Sequence, residues 1–277
     1  MHEKLILGTL SSFLIENELD FLFDFFNELS ALGFKRIDSS PTYSQGSNEK
    51  ILGKLLDMGI NYEITSKVFA DVNNSGSEGL NKKNIVNSIY YSLSLLKVKK
   101  IDRLLFHNFD ENIDCIEICE TINYLFKKKL ISKIGFCKWS YKAVDKVIPN
   151  LNINASKIFA QYPYSFLNTK YKDDLIWFNG NNIETEVYGV FAQGTLLGNF
   201  KDRKDCINTS IKHHIKDPKA LSEYKKLSKY IKDKSDIAVN IIKNILDLKY
   251  VDNVILGFSS DKQIKDIAKK IFLQDTF

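Results

Sequence analysis

Cysteine, histidine and proline are all scarce, with four of each in 277 residues, and each scarcity closes off a class of protein. Cys115, Cys119, Cys137 and Cys206 are too few and too widely placed for a disulfide framework, which agrees with a reducing compartment. Cys115 and Cys119 share one face of a helical pattern, but no second ligand pair follows, so packing explains them better than metal. No histidines and carboxylates cluster at strand ends, which argues against a metal-dependent hydrolase; no metal is expected. Long apolar runs are missing too. Stretches such as FLFDFF are broken by acids, and MHEKLILGTLSS has a short run broken by Gly8 that reads as a first strand rather than a signal peptide. Neither a membrane span nor an export signal is expected, and the location is expected to be cytoplasmic. The net charge of +5 comes from lysines scattered among acids, so nothing forms a nucleic-acid stripe. No GxGxxG follows a strand, which argues against a Rossmann domain. Nor does a Pro/Gly/Ser-rich linker divide the chain, so one domain over residues 1–277 is expected, a monomer by default.

What is present is alternation. Short β-branched runs near 4–9, 35–39, 61–67, 101–106, 131–136, 157–161, 183–188 and 253–256 read as eight strands. Helical patterns fill the gaps at 17–32, 48–58, 82–97, 112–129, 140–148, 170–179, 235–248 and 261–271, with apolar residues recurring at three- and four-residue spacing, as in IVNSIYYSLSLL. Eight βα units predict an α/β protein with a (β/α)8 TIM barrel, its site at the C-terminal strand ends. The segment from Gly189 to about Pro218 is long and lysine-rich, and 219–232 reads as an extra helix.

Four polar side chains fall at or just beyond the ends of three successive strands: Asp38 and Tyr43, Lys67, and His107. A phenol is a weak acid with a pKa near ~10, so its use near neutrality calls for a neighbouring cation. Lys67 is suited to that role, Asp38 to holding the ammonium, and His107 to donating beside the tyrosine oxygen. Together they describe a site that polarises a carbonyl oxygen and hands it a proton. Singly, each has a plainer reading: Asp38 as a turn residue before Pro41, His107 as a core histidine, Tyr43 as a lid, Lys67 as a snorkelling lysine. Their shared placement at neighbouring strand ends favours the catalytic one.

These residues and their surroundings resemble the aldo-keto reductase family. The likeness runs through LGT at 7–9, GFKRIDSSPTYSQGSNEKILG at 33–53, TSKVF at 65–69, LLFHNF at 104–109, SKIGFCKWS at 132–140, AQYPY at 160–164, VYGVFAQGTLLG at 187–198 and VILGFSSDKQI at 254–264. It implies that Asp38, Tyr43, Lys67 and His107 are the family's catalytic tetrad. A hydride source must lie against the carbonyl carbon, and nicotinamide is the common carrier. The resemblance implies NADP(H), with Thr9 near the cofactor, Gln161 on its carboxamide and Tyr188 stacked on the nicotinamide. Gly189, Phe191, Gln193 and Gly194 would cover the pyrophosphate. Gly257, Phe258, Ser259, Ser260 and Gln263 would hold the adenosine 2′-phosphate at a helix start, where exposed N–H groups favour an anion. Two departures stand out. Cys137 and Lys138 stand at the cofactor-binding position after the fifth strand where the family commonly has a Ser-Asn that holds the carboxamide, and Gln263 stands where an arginine is frequent.

Phe69 and Trp139, and more weakly Phe13, are candidate pocket walls, with core packing the competing reading. The first strand leaves little room for a preceding hairpin, and the chain stops soon after the eighth helix, so an open mouth is expected. The sequence therefore predicts an NADP(H)-dependent oxidoreductase that acts on a small-molecule aldehyde, ketone or alcohol. The alternative is a nicotinamide-binding regulatory or interaction protein on the same barrel.

Overall fold

The structure is a computed structural model that describes residues 2–68, 79–110, 114–197, 222 and 233–275. Eight parallel strands close a barrel in sequence order: β1 (Leu5–Gly8), β2 (Arg36–Asp38), β3 (Glu63–Val68), β4 (Ile101–Phe106), β5 (Ile131–Cys137), β6 (Ile158–Pro163), β7 (Glu184–Tyr188) and β8 (Asn253–Gly257). Pairing of Leu5 with Val254 through Gly8 with Gly257 completes the ring. All eight predicted strands are present, with ends shifted by two residues at most.

The helices are α1 (Phe13–Glu16), α2 (Leu19–Ala31), α3 (Ser47–Met58), α4 (Lys82–Leu96), α5 (Cys115–Lys127), α6 (Tyr141–Val147), α7 (Lys172–Gly180), α8 (Lys234–Leu246) and α9 (Asp261–Asp275). Each long helix lays an apolar stripe on the barrel. In α2 the stripe is Leu22, Phe25, Phe26 and Leu29, the spacing of one helical face. Side-chain oxygens start four of them: Asn81 accepts from the Asn84 amide, Asp114 from Ile116, Ser140 from Ala143, and Asp233 from Ser235 and Asp236. The short α1 was not anticipated, because a single helical turn carries no periodicity. Most of the predicted helix at 219–232 and most of the 189–218 segment lie outside the described residues.

At the N-terminal end of the strands the barrel interior is charged. Glu184 receives Arg36 at 2.7 Å, Arg103 at 3.0 Å and Lys133 at 2.7 Å, while Arg103 also reaches Glu186 at 2.5 Å. Above this floor sit Leu105, Cys137 and Phe159, with Tyr188 packed against them. Gly135 makes room for that layer, since a Cβ there would lie 2.3 Å from the Phe159 ring.

Candidate active site

The C-terminal ends of β2 and β3 bring three of the expected residues into contact. Asp38 is the last residue of β2, and a tight turn through Ser40 and Pro41 carries the chain to Tyr43. Ser44, Gln45 and Gly46 then adopt positive φ (49°, 54° and 85°) before α3 begins, so the turn reverses sharply enough to aim Tyr43 back over the barrel. Lys67, near the end of β3, is 1 % exposed and points inward. Its Nζ donates to Asp38 Oδ1 at 2.5 Å, to the Ser39 carbonyl at 2.8 Å and to Tyr43 Oη at 3.0 Å. All three ammonium protons are thereby engaged. The Tyr43 oxygen acts as acceptor, which leaves its own proton to point away from Lys67.

Burial would strip the charge from Lys67, but the neighbouring Asp38 and Tyr43 oxygens hold its pKa above the ordinary lysine value. Tyr43 behaves differently from expectation. Desolvation raises its pKa by more than Lys67 lowers it, so the net direction is upward and the phenol is held protonated. The depression expected from Lys67 is corrected on this point: burial outweighs the cation.

His107 follows β4, one strand over from Lys67, with its backbone N–H donating to the Val68 carbonyl at 2.9 Å. Desolvation, then Lys67 and Lys138, lower its pKa to about 3, so the ring is neutral at physiological pH. Its Nδ1 is buried with no hydrogen-bond partner among the described residues.

Other residues brace this group. Thr9 is 1 % exposed, and both its amide and its hydroxyl donate to the Asp38 carbonyl at 3.0 Å, while Asn48 Nδ2 donates to the Thr9 carbonyl at 2.7 Å. Gln161 Nε2 donates to Asp38 Oδ2 at 2.8 Å and to Glu186 Oε2 at 3.3 Å. Cys137 is sealed in the interior against Tyr188, and burial pushes its thiol up to about 11. Tyr188 is partly exposed at the end of β7, its hydroxyl raised well above the ordinary value, first by burial and then by Cys137. Lys138 Nζ donates to Asn108 Oδ1 at 2.7 Å.

The loop after β7 turns through Gly189 (φ 70°), Ala192 (46°), Gln193 (58°) and Gly194 (81°). Phe191 Cα lies between the first two of these, and its carbonyl accepts from the Leu196 amide at 3.1 Å. At the end of β8, Gly257 is exposed with open space where a Cβ would stand. Gln263 Oε1 accepts from the Ser259 amide at 3.0 Å and from its hydroxyl at 3.1 Å, and Ser260 Oγ accepts from the Gln263 amide at 3.4 Å. A left-handed loop beside a serine-rich helix start, both at the site end of the barrel, fits a phosphate-bearing dinucleotide. Lys265 is engaged elsewhere, paired with Glu28 at 2.6 Å.

Several expected residues are packed rather than open. Phe258 is buried, its ring 5.2 Å from Phe13 and 5.6 Å from Phe25, so its side chain belongs to the core. Phe13 joins the same cluster, which supports the core-packing reading for it. Trp139 is wedged among Phe106, Phe109 and Phe136, and its Nε1 donates to the Asn108 carbonyl at 3.0 Å. Phe69 lies outside the described residues. Sequence reasoning missed Glu186, Arg103 and the buried Glu49, which accepts from Ser66 at 2.7 Å. For Glu186 and Arg103 the available signal was charge inside strands of otherwise apolar pattern; Glu49, in α3, gave none.

The aldo/keto reductase family model matches residues 4–275. The chain belongs to that family. Among relatives of this family member, a putative voltage-gated potassium channel subunit beta of Schizosaccharomyces pombe is 23 % identical over 261 residues, covering 87 % of this chain and 76 % of the relative. The aldo-keto reductase YhdN of Bacillus subtilis is 24 % identical over 253 residues, covering 86 % and 74 %. The solved glycerol dehydrogenase of Gluconobacter oxydans superimposes with a TM-score of 0.71 at 18 % identity, over 98 % of this chain and 90 % of that one, and so shares the barrel fold. Family membership supports oxidoreductase chemistry. No helix among the described residues is long and apolar enough to cross a membrane, and no group of three or more metal-ligating side chains occurs among them.

Proposed function

We propose that this protein is a cytoplasmic, monomeric, single-barrel oxidoreductase that uses NADP(H) to interconvert a small aldehyde or ketone with its alcohol. Nicotinamide, when bound, supplies hydride to the carbonyl carbon. Tyr43 donates its proton to the carbonyl oxygen, Lys67 stabilises the phenolate that remains, Asp38 holds Lys67 in place, and neutral His107 orients the carbonyl. One observation carries this reading: Lys67 Nζ bridges Asp38 Oδ1 and Tyr43 Oη, with the phenol accepting and its proton left to give.

Tyr188, Gly189, Phe191, Gln193 and Gly194 on one side, and Gly257 to Gln263 on the other, are the residues we assign to the dinucleotide. Ser259, Ser260 and the exposed Lys262 at the start of α9 support NADP(H) over NAD(H). The alternative, a nicotinamide-binding regulatory or interaction protein on the same barrel, draws on Cys137 and Gln161, and one relative is named as a channel subunit. The thiol is sealed against Tyr188 and the amide N–H groups are turned to carboxylates, so two carboxamide contacts would have to rearrange. Fluorescence titration with NADPH and NADH, followed by a panel of aldehydes, separates the two. Turnover with tighter NADPH binding is expected, whereas tight binding with no oxidation of NADPH would favour the regulator.

A further inference from the structure

Lys138 stands one residue beyond the end of β5 at φ 60°, a backbone conformation uncommon for lysine and easier for asparagine or glycine. Its ammonium is partly buried and turned toward β4, where Asn108 Oδ1 accepts from it at 2.7 Å. Asn108 is itself fixed, because its carbonyl accepts from Trp139 Nε1. Cys137, the preceding residue, faces the opposite way toward Tyr188. Lys138 therefore lies on the His107 side of the site, where the carbonyl is polarised, and not on the Tyr188 side.

The charge balance there is incomplete. Lys67 is matched by Asp38, Tyr43 and His107 are neutral, and Arg103 is matched by Glu186 below. Lys138 has no carboxylate paired with it among the described residues. A second ammonium near Lys67 adds repulsion, which a neutral side chain bonded to Asn108 would avoid. At the same end of the barrel, Leu10, Phe109 and Phe166 stand exposed just beyond the ends of β1, β4 and β6. A barrel mouth that combines exposed apolar side chains with one uncompensated cation suits a ligand with a carbon skeleton and one negative group.

We propose that Lys138 is a substrate-anion clamp, so that the preferred carbonyl compound carries a carboxylate or phosphate that pairs with its ammonium. This rests on the reductase reading above and names its substrate class.

The test compares kcat/KM at saturating NADPH for 4-carboxybenzaldehyde against benzaldehyde, and for glyceraldehyde 3-phosphate against glyceraldehyde. Wild type should prefer the anionic member of at least one pair by roughly tenfold or more, the scale of one charge-assisted contact. The pair that shows it identifies carboxylate or phosphate. Lys138→Asn, the easier residue at this φ, should lower that ratio by about tenfold, and Lys138→Arg should retain most of it. A loss of cofactor affinity would affect both members of a pair alike and leave the ratio unmoved. Turnover with ratios near one in wild type, or unchanged in Lys138→Asn, overturns the clamp and leaves the reductase reading standing. Calorimetric titration of 4-carboxybenzaldehyde and of glyceraldehyde 3-phosphate into the NADP+-loaded protein decides the opposite case. Lys138-dependent binding of either without turnover of any substrate keeps the clamp and defeats the reductase. Neither turnover nor Lys138-dependent binding overturns both.

Discussion

Gln161 joins the two ends of the barrel's polar interior: its Nε2 lies 2.8 Å from Asp38 Oδ2 and 3.3 Å from Glu186 Oε2. Through it the carboxylate that anchors Lys67 is linked to Glu186 and then to Arg103 on the floor. Every member is buried, so each bond is made where an unpaired partner is costly. Gln161→Leu removes the donor between two carboxylates that burial already disfavours. A loss of about 1–3 kcal/mol is expected in urea unfolding. An unchanged midpoint would mean that the bridge contributes nothing.

Breaking the floor should cost more than replacing it. Arg103→Met alone leaves Glu186 buried with its main cation gone and should cost about 3–5 kcal/mol. Arg103→Met combined with Glu186→Leu removes both charges and should recover much of that loss. A double variant no more stable than the single one would contradict this account of the pair, and chemical denaturation reads the difference.

Gly53 is required by contact. A Cβ at Gly53 would sit 2.2 Å from the Leu95 carbonyl oxygen, where α3 crosses the end of α4, and backbone on both sides cannot yield cheaply. Gly53→Ala should destabilise by about 1–3 kcal/mol, despite alanine's better helix propensity. A gain in melting temperature would show that the helices separate more easily than this packing implies.

His107 sets a pH dependence whose sign is fixed by its depressed pKa of about 3 against about 6.5 unfolded. Below about 6.5 the unfolded chain takes up a proton that the folded site refuses, so the contribution to stability is present above that pH and falls as pH drops toward 3. The slope from this one group is at most about 1.4 kcal/mol per pH unit, and His107→Gln should remove it. Equilibrium unfolding at pH 7, 6 and 5 of both proteins measures the difference. By the same reasoning, kcat/KM should show no ionisation of His107 between pH 5 and pH 8, about the range of ordinary histidine titration.

The barrel was legible because its eight strands are short β-branched runs separated by helices with clear apolar stripes, such as Leu22, Phe25, Phe26 and Leu29. The contacting trio was legible because Asp38, Tyr43 and Lys67 sit where strand ends place them side by side. Direction of packing was not. Phe258 and Phe13 turn into the core, since a ring gains more from Phe25 than from an open cleft. The polar chain through Gln161, Glu186 and Arg103 was equally hidden, because its bonded members are 25 to 123 residues apart in sequence and meet only when the barrel closes. The net shift on Tyr43 also escaped, since it depends on how deeply the phenol is buried as well as on the charge beside it.

The proton-donor role of Tyr43 is tested most directly by Tyr43→Phe, with NADPH affinity followed by fluorescence and carbonyl reduction followed by NADPH absorbance on the same preparation. The account predicts NADPH binding within about twofold of wild type and carbonyl reduction lowered by at least about 10²-fold, the scale of general-acid catalysis. Reduction at the wild-type rate by a variant that lacks the hydroxyl would contradict it.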